Sequence, residues 1–368
     1  MQNTINYVDW VTPNYNLGEE ALYQVLQQTF LNKNLRLRRI TDRIKQEHSQ
    51  TSLIGGGSCL PLITIFMRPT KYVYVFGSGV QDPWFYKYFN QALIDRFKSL
   101  NCRLIGVRGN ISKRFLNDWG IQCKVIGDPC LSLKPTQMHQ RSSNRVAINI
   151  GDAKAQYSSK SRSKVVKEMT EVCNVLKSTG YELIIVPFWK DNLDDIQDLS
   201  EGAQIQVFSN WQDVEATMNL LSSCEILIGE KLHSIVLSAA ANTPFIGLAY
   251  SPEHFDFVES VGFSAFTLPI TKITAEEILT LFDDLINRYG AIQNKLSSLV
   301  SEYREKQSKF ADEIACDIDS LPEDKWFIQN DCKNTLLLRI DKQIYTKTGR
   351  AWNIWNRAVF SQLMPHLI

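Results

Sequence analysis

The chain has 368 residues, 44% of them apolar, with 40 Lys plus Arg against 39 Asp plus Glu and a net charge of +1. That length exceeds one ordinary core and implies two domains of roughly 150 residues each with a remainder. The balanced charge gives no global field for nucleic acid, so any anion must be held by a local site.

Met1 to Val11 contains Asp9 and lacks the basic and long apolar regions of a signal peptide, so export is not expected. Short apolar runs then alternate with amphipathic stretches, the pattern of βα units around a parallel sheet. Strands are predicted at Ile5–Val11, Leu35–Ile40, Ser52–Ile54, Tyr72–Phe76, Arg103–Val107 and Lys124–Ile126, with helices at Glu19–Phe30 and Trp84–Leu100. Polar, unpatterned Pro135–Asn144 reads as a linker. The rhythm restarts with strands at Val146–Ile150, Glu182–Pro187, Gln204–Phe208, Ile226–Ile228 and Pro244–Ala249. Helices are predicted at Lys160–Ser178, Trp211–Ser222, Leu232–Ala241 and Ala275–Tyr289. The expected fold is α/β, with two Rossmann-like domains facing a cleft: residues 1–140, residues 145–310, and a C-terminal tail, 311–368, read as helical and packing back.

The most apolar stretch, Ile235–Tyr250, is broken by Asn242, Thr243 and Pro244 and falls short of the roughly 20 residues that span a bilayer. Eight scattered cysteines, Cys59, Cys102, Cys123, Cys130, Cys173, Cys224, Cys316 and Cys332, form no C-x-x-C pair. They read as reduced packing thiols in a cytoplasmic protein, with no zinc site.

In parallel α/β sheets, ligands bind beyond the carboxyl ends of the strands, where helix N-termini offer free N–H groups. Gly55-Gly56-Gly57-Ser58 follows a strand and would let backbone amides approach an anion; Gly77-Ser78-Gly79 repeats the arrangement. Neither is a P-loop or dinucleotide fingerprint, and each alone is equally a tight turn. Arg108, between glycines at a strand end, could fork onto a phosphate or carboxylate, or equally pair with Asp128. The sharpest constellation is Gly229-Glu230-Lys231-Leu232-His233, where Lys231 and His233 can reach one anion at a helix start. Glu230, three residues before His233, is placed to orient the imidazole if the turn is helical. Tyr250, His254 and Asp256 are expected to face the same mouth.

In this order the segments resemble the polysaccharide pyruvyl transferase family over most of residues 14–265. The carriers are Asn16-Leu17-Gly18-Glu19, Gly55-Gly56-Gly57, the Gly-Ser-Gly loop, Arg108-Gly109 with Ser112, Gly127-Asp128-Pro129, Lys231-Leu232-His233, Pro244-Phe245-Ile246 and Tyr250-Ser251-Pro252-Glu253. Three positions depart from the pattern. Glu19 stands for an Asp, Lys231 for an Arg, and Glu253 or His254 near a Lys.

The resemblance implies a fold like that of GT-B glycosyltransferases, no cofactor or obligatory metal, phosphoenolpyruvate as donor and a saccharide, free or lipid-linked, as acceptor. It points to His233 as general acid/base, to Lys231, Arg108 and Gly55 to Ser58 at the donor, and to Asn16, Glu19, Tyr250 and His254 in the acceptor side of the cleft. A nucleotide-sugar glycosyltransferase and a non-catalytic relative that lost its cationic anchors are the rival readings. In the tail, Trp352, Trp355, Val359 and Leu363 recur at helical spacing beside Arg350 and Arg357. Packing on the N-terminal domain is the favoured explanation, and peripheral contact with the inner face of a membrane is the alternative.

Overall fold

The computed structural model describes residues 3–9, 15–39, 50–65, 67, 70–82, 91–137, 144–151 and 159–322. The first sheet is built from β1 (Asn3–Val8), β2 (Leu35–Arg39), β3 (Thr51–Gly55), β4 (Ser58–Leu60), β5 (Tyr72–Val80), β6 (Cys102–Val107) and β7 (Lys124–Val125). Its order is β2-β1-β3-β5-β6-β7, with β4 pairing with β5, and every pairing is parallel. β3 and β5 are buried along their whole length, as strands covered on both faces must be. At the edge, β2 alternates buried Leu35 and Leu37 with exposed Arg36 and Arg38, a charged rim that discourages edge pairing.

The second sheet holds β8 (Arg145–Asn149), β9 (Glu182–Ile185), β10 (Gln206–Val207), β11 (Ile226–Gly229), β12 (Phe245–Ala249) and β13 (Thr267–Pro269), in the order β10-β9-β8-β11-β12-β13. In each sheet the strand order reverses once, between β1 and β3 and between β8 and β11. Loops leaving such a pair diverge and open a crevice at the carboxyl ends. The four loops concerned start after Val8, Gly55, Asn149 and Gly229.

Ten helices are described: α1 (Leu17–Leu31), α2 (Gln91–Ser99), α3 (Asn110–Asp118), α4 (Ser159–Ser178), α5 (Leu193–Ala203), α6 (Val214–Ser223), α7 (Leu232–Ala240), α8 (Pro252–Ser260), α9 (Ala275–Asn287) and α10 (Tyr289–Asp319). α1 forms because Asn16 caps it, Glu19 and Glu20 suit its positive end, and Leu22, Val25, Leu26 and Phe30 share its buried face. α7 is buried at all nine positions, and its small residues Ser234, Ser238, Ala239 and Ala240 permit that close packing. One hydrophobic cluster runs from the first sheet through α1, α7 and α10 into the second, so the two halves share a core.

α10 makes the return to the first domain. Its Asp317 accepts from Tyr74 Oη at 2.6 Å and from Arg103 at 2.9 and 2.6 Å, and Glu313 pairs with Lys124. The helix runs unbroken through Phe310 and Ala311, where the sequence suggested that a tail begins. The tail's Trp352 stripe and the first part of the Trp84–Leu100 helix lie outside the described residues. Gly77-Ser78-Gly79 is not a loop but part of β5, with Ser78 Oγ donating to the Gly56 carbonyl at 2.8 Å. The linker begins docked on α6: the N–H groups of Thr136 and Gln137 both donate to Asn219 Oδ1. No helix among the described residues is long and apolar enough to cross a membrane.

Candidate functional site

The two domains meet where α1 begins. Asn16 Oδ1 accepts from the Gly18 N–H at 3.0 Å, an N-cap bond that fixes the turn. Just beside it the Leu17 N–H donates to the Phe188 carbonyl at 2.9 Å and the Lys190 N–H to the Tyr15 carbonyl at 3.1 Å, pairing Asn16 with Trp189 across the seam. Tyr15 adds a hydroxyl bond to the Gln212 carbonyl and an edge contact with Trp211. Burial, reinforced by Glu20 and Asp213, pushes its phenol up to about 12. Glu19 is half-buried in the first turn of α1.

The other wall is the start of α7. Asn149, 1% exposed at the end of β8, accepts through its carbonyl from the Glu230 N–H at 3.0 Å and through Oδ1 from the Lys231 N–H at 2.9 Å. Its Nδ2 donates to the Val186 carbonyl at 2.9 Å, so one buried amide ties three strand ends together. Lys231 is the N-cap residue of α7, and its Nζ lies 4.4 Å from the centroid of the Trp189 ring. That cation–π contact holds the ammonium at the seam. His233, 7% exposed, reaches the first domain directly. A Cβ on Gly18 would stand 2.3 Å from Cγ and Nδ1 of His233, so only glycine lets the ring lie there.

The structure therefore brings Asn16, Lys231 and His233 together, with Gly18 and Trp189 as additional members. Trp189 carries no motif in the sequence; an aromatic residue just past a strand end was its sole signal.

Other expectations change. Glu230 precedes the helix, because α7 starts at Leu232 with Lys231 as cap, so the acid and His233 do not share a helical face. Glu230 Oε2 instead accepts from the Gly151 N–H at 2.5 Å. Tyr250, His254 and Asp256 do not line an open mouth; they are 8%, 0% and 3% exposed. His254 Nε2 lies 2.7 Å from the Glu230 carbonyl, which fixes the proton on that nitrogen, and Nδ1 then accepts from Ser251 Oγ at 3.1 Å. Tyr250 packs its ring on that imidazole at 4.5 Å. Asp256 reaches into the first domain and accepts from the Ile111 N–H at 2.9 Å and from Ser112 Oγ at 2.6 Å, serving as a borrowed cap for α3. Desolvation raises the Asp256 carboxyl above its ordinary value, against the bonds from Ser112 and the field of Arg108.

The glycine loop divides into two kinds of residue. A Cβ on Gly55 would meet Leu26 and Tyr7 at 2.5 Å, and one on Gly56 would meet Leu22 at 2.4 Å, so both are required by packing. Gly57 has open space where its Cβ would be, at a φ of +52°. Ser58 begins β4 and pairs with Gly79. Arg108 realises the second of its two sequence readings: its Nε donates to Asp128 Oδ2 at 2.9 Å, and both side chains are fully buried.

Asp128, Cys130 and His233 present ligand-type atoms within 4.8 Å of one another, and all three are buried. They come from two domains, which no spacing pattern could reveal. Both Asp128 oxygens are already engaged, Oδ2 by Arg108 and Oδ1 by the Cys130 N–H at 2.9 Å. With both oxygens engaged, the carboxylate stands beside the imidazole as a charge rather than as an open ligand. Burial, then Asp128, pushes the Cys130 thiol well above its ordinary range, which keeps it neutral.

Residues 16–252, from the cap of α1 to the start of α8, match the polysaccharide pyruvyl transferase family. The match spans more than half of the chain's 368 residues. The chain belongs to this family. Among solved structures it is similar to the Staphylococcus aureus MnaA–UDP complex, with a TM-score of 0.60 at 11% identity over 89% of this chain and 100% of that one. It is also similar to the glycotransferase of kitacinnamycin, with a TM-score of 0.51 at 13% identity over 85% of this chain and 99% of that one. At such identities the likeness is one of fold: two Rossmann-like domains in the GT-B arrangement, which in this pyruvyl transferase family member meet at His233.

Proposed function

We propose that this chain transfers a pyruvyl group from phosphoenolpyruvate to two hydroxyls of a saccharide, forming a ketal in surface or exopolysaccharide synthesis. Family membership supports the reaction class. The observation that carries the assignment of parts is the meeting of Lys231 and His233, at the switch point of the second sheet, with the cap of α1 beyond that of the first.

The donor carries a phosphate and a carboxylate, so its site needs cationic or amide-rich anchors. Lys231 supplies one, with the first N–H groups of α7 behind it. In the reaction the methylene carbon gains a proton, two sugar oxygens bond to C2, and the phosphate leaves with its C–O electron pair. His233 takes a proton from an attacking hydroxyl and delivers one to the methylene, the work of a general acid/base. Lys231 stabilises the charge on the departing phosphate. This reading places the reaction on the cytoplasmic side, with the acceptor free or lipid-linked.

Phosphate release from phosphoenolpyruvate with a panel of saccharide acceptors tests the reaction. His233→Ala should lower it about 10²–10⁴-fold while leaving the melting temperature near the wild-type value. Near-native turnover in that variant would remove His233 from the chemistry. Consumption of a UDP-sugar with no phosphate release from phosphoenolpyruvate would replace the donor.

A further inference from the structure

Asp128 has no part in the reaction as drawn above, yet it is a firmly fixed carboxylate near the seam. Its side chain is fully buried and bonded to Arg108 and to the Cys130 N–H. The turn that carries it is held as well. Gln307 of α10 donates to the carbonyls of Ile126 and Asp128 at 3.1 and 2.7 Å and accepts from Ser132 Oγ at 2.5 Å. Gly127 sits at φ +82° with no room for a Cβ against Tyr303. A carboxylate held this firmly lies within 4.8 Å of a ring nitrogen of His233, on the opposite domain.

We infer that Asp128 is a positioning residue for His233: a fixed negative charge, lent by the first domain, that stabilises the imidazolium formed when the ring takes a proton. The inference rests on the reading of His233 as the acid/base. The effect is that of a charge in a buried site, and such sites screen charge weakly. Gly18 completes the slot by letting the ring approach the start of α1 closely. Both features belong to the first domain, so the acid/base acquires its setting only with the domains closed on each other.

The surrounding charged groups among the described residues are each held by partners. Arg108 opposes the effect but is itself bound by Asp128, and the Lys231 ammonium lies over Trp189. Cys130 is held neutral. Glu19 stands at the start of α1 and Glu230 is bonded to Gly151. α8 brings His254, bonded to the Glu230 carbonyl, and Asp256, bonded to α3. α10 brings Arg304, whose guanidinium donates to the carbonyls of Leu131, Leu133 and Ala240. α6 brings Glu215, bonded to Thr136.

The test is the titration of the His233 ring by NMR, its signal assigned by its loss in His233→Ala, together with the pH profile of kcat and KM. Asp128→Asn should move the ring's midpoint about one pH unit lower and displace the matching limb of the kcat profile equally, with KM changed far less. Because removing one partner of a buried pair can unfold a protein, Asp128→Asn is also made with Arg108→Gln, which leaves no orphaned charge. The double variant also loses the opposing guanidinium, so its downward shift should be smaller; no shift in folded Asp128→Asn, or no shift or an upward one in the double variant, overturns the inference. Should His233→Ala stay active while Asp128→Asn still moves the midpoint, the electrostatic link stands and the catalytic reading of His233 falls instead.

Discussion

Two histidines begin two successive helices of the second domain, and the structure treats them differently. His254, at the start of α8, is satisfied within its own domain by Ser251 and the Glu230 carbonyl. His233, at the start of α7, is seated by the other domain, with Gly18 against it and Asp128 and Cys130 close by. A ring whose two nitrogens are matched by its own fold has a structural task. A ring whose setting is assembled across a seam depends on both halves for its surroundings. The contrast also separates two cations that the sequence grouped together, since Lys231 stands at the seam whereas Arg108 is sealed beneath it.

The largest expected effect tests that separation. Arg108→Ala leaves Asp128 buried without its ion-pair partner, and breaking such a pair costs about 3–5 kcal/mol. Chemical denaturation should therefore show a strongly destabilised variant. A stable Arg108→Ala protein with a raised KM for phosphoenolpyruvate would return Arg108 to the donor site and dissolve the contrast with Lys231.

Much of this arrangement was legible in the sequence, for a physical reason. Strands covered on both faces are continuous apolar runs, so β3, β5, β8, β11 and β12 announce themselves, and the ordered motifs after them mark the switch points of both sheets. The three-residue strands β4 and β13 carry too short a pattern to stand out, and α3 and α5 are half-exposed helices whose apolar stripe is thin. What stayed hidden were contacts between distant residues. Asp256 capping α3 joins positions 145 apart for Ile111, and the meeting of His233 with Gly18 leaves no periodic trace. The turn of Glu230 toward Gly151 was invisible for another reason: the helix starts at Leu232 as expected, and nothing local shows that an acid two residues before it bonds a distant backbone N–H.

His254 gives a smaller effect of a different kind. His254→Ala removes the donor to the Glu230 carbonyl and the acceptor for Ser251 inside a fully buried site, at a cost of about 1–3 kcal/mol. Since that carbonyl immediately precedes Lys231, the donor KM should rise while kcat changes little. If kcat instead falls about 10²–10⁴-fold with stability intact, His254 is itself moving protons and the two histidines are equivalent after all.

The smallest effect concerns Asp256, two residues beyond His254, where α8 does cross the seam. Its carboxyl is raised above the ordinary 3.8, chiefly by desolvation, with Ser112 and Arg108 opposing. A carboxyl raised on folding binds more protons in the native than in the unfolded state. Its contribution is therefore fully present below the unfolded value and is lost as pH rises through the folded one. Asp9, raised by burial despite Arg39, titrates in the same direction, so the wild type alone cannot isolate the latch. The difference from Asp256→Asn can, because Asp9 is common to both and the amide does not titrate. Melting curves from about pH 4 upward should show the wild type losing stability relative to the variant, by at most about 1.4 kcal/mol per pH unit, until Asp256 is fully ionised. A difference that is flat over that range, or that grows in the wild type's favour, would mean that the bonds from Ile111 and Ser112 outweigh desolvation. Asp256 would then be an ordinary helix cap that favours its charge, rather than a carboxylate held across the seam at a cost.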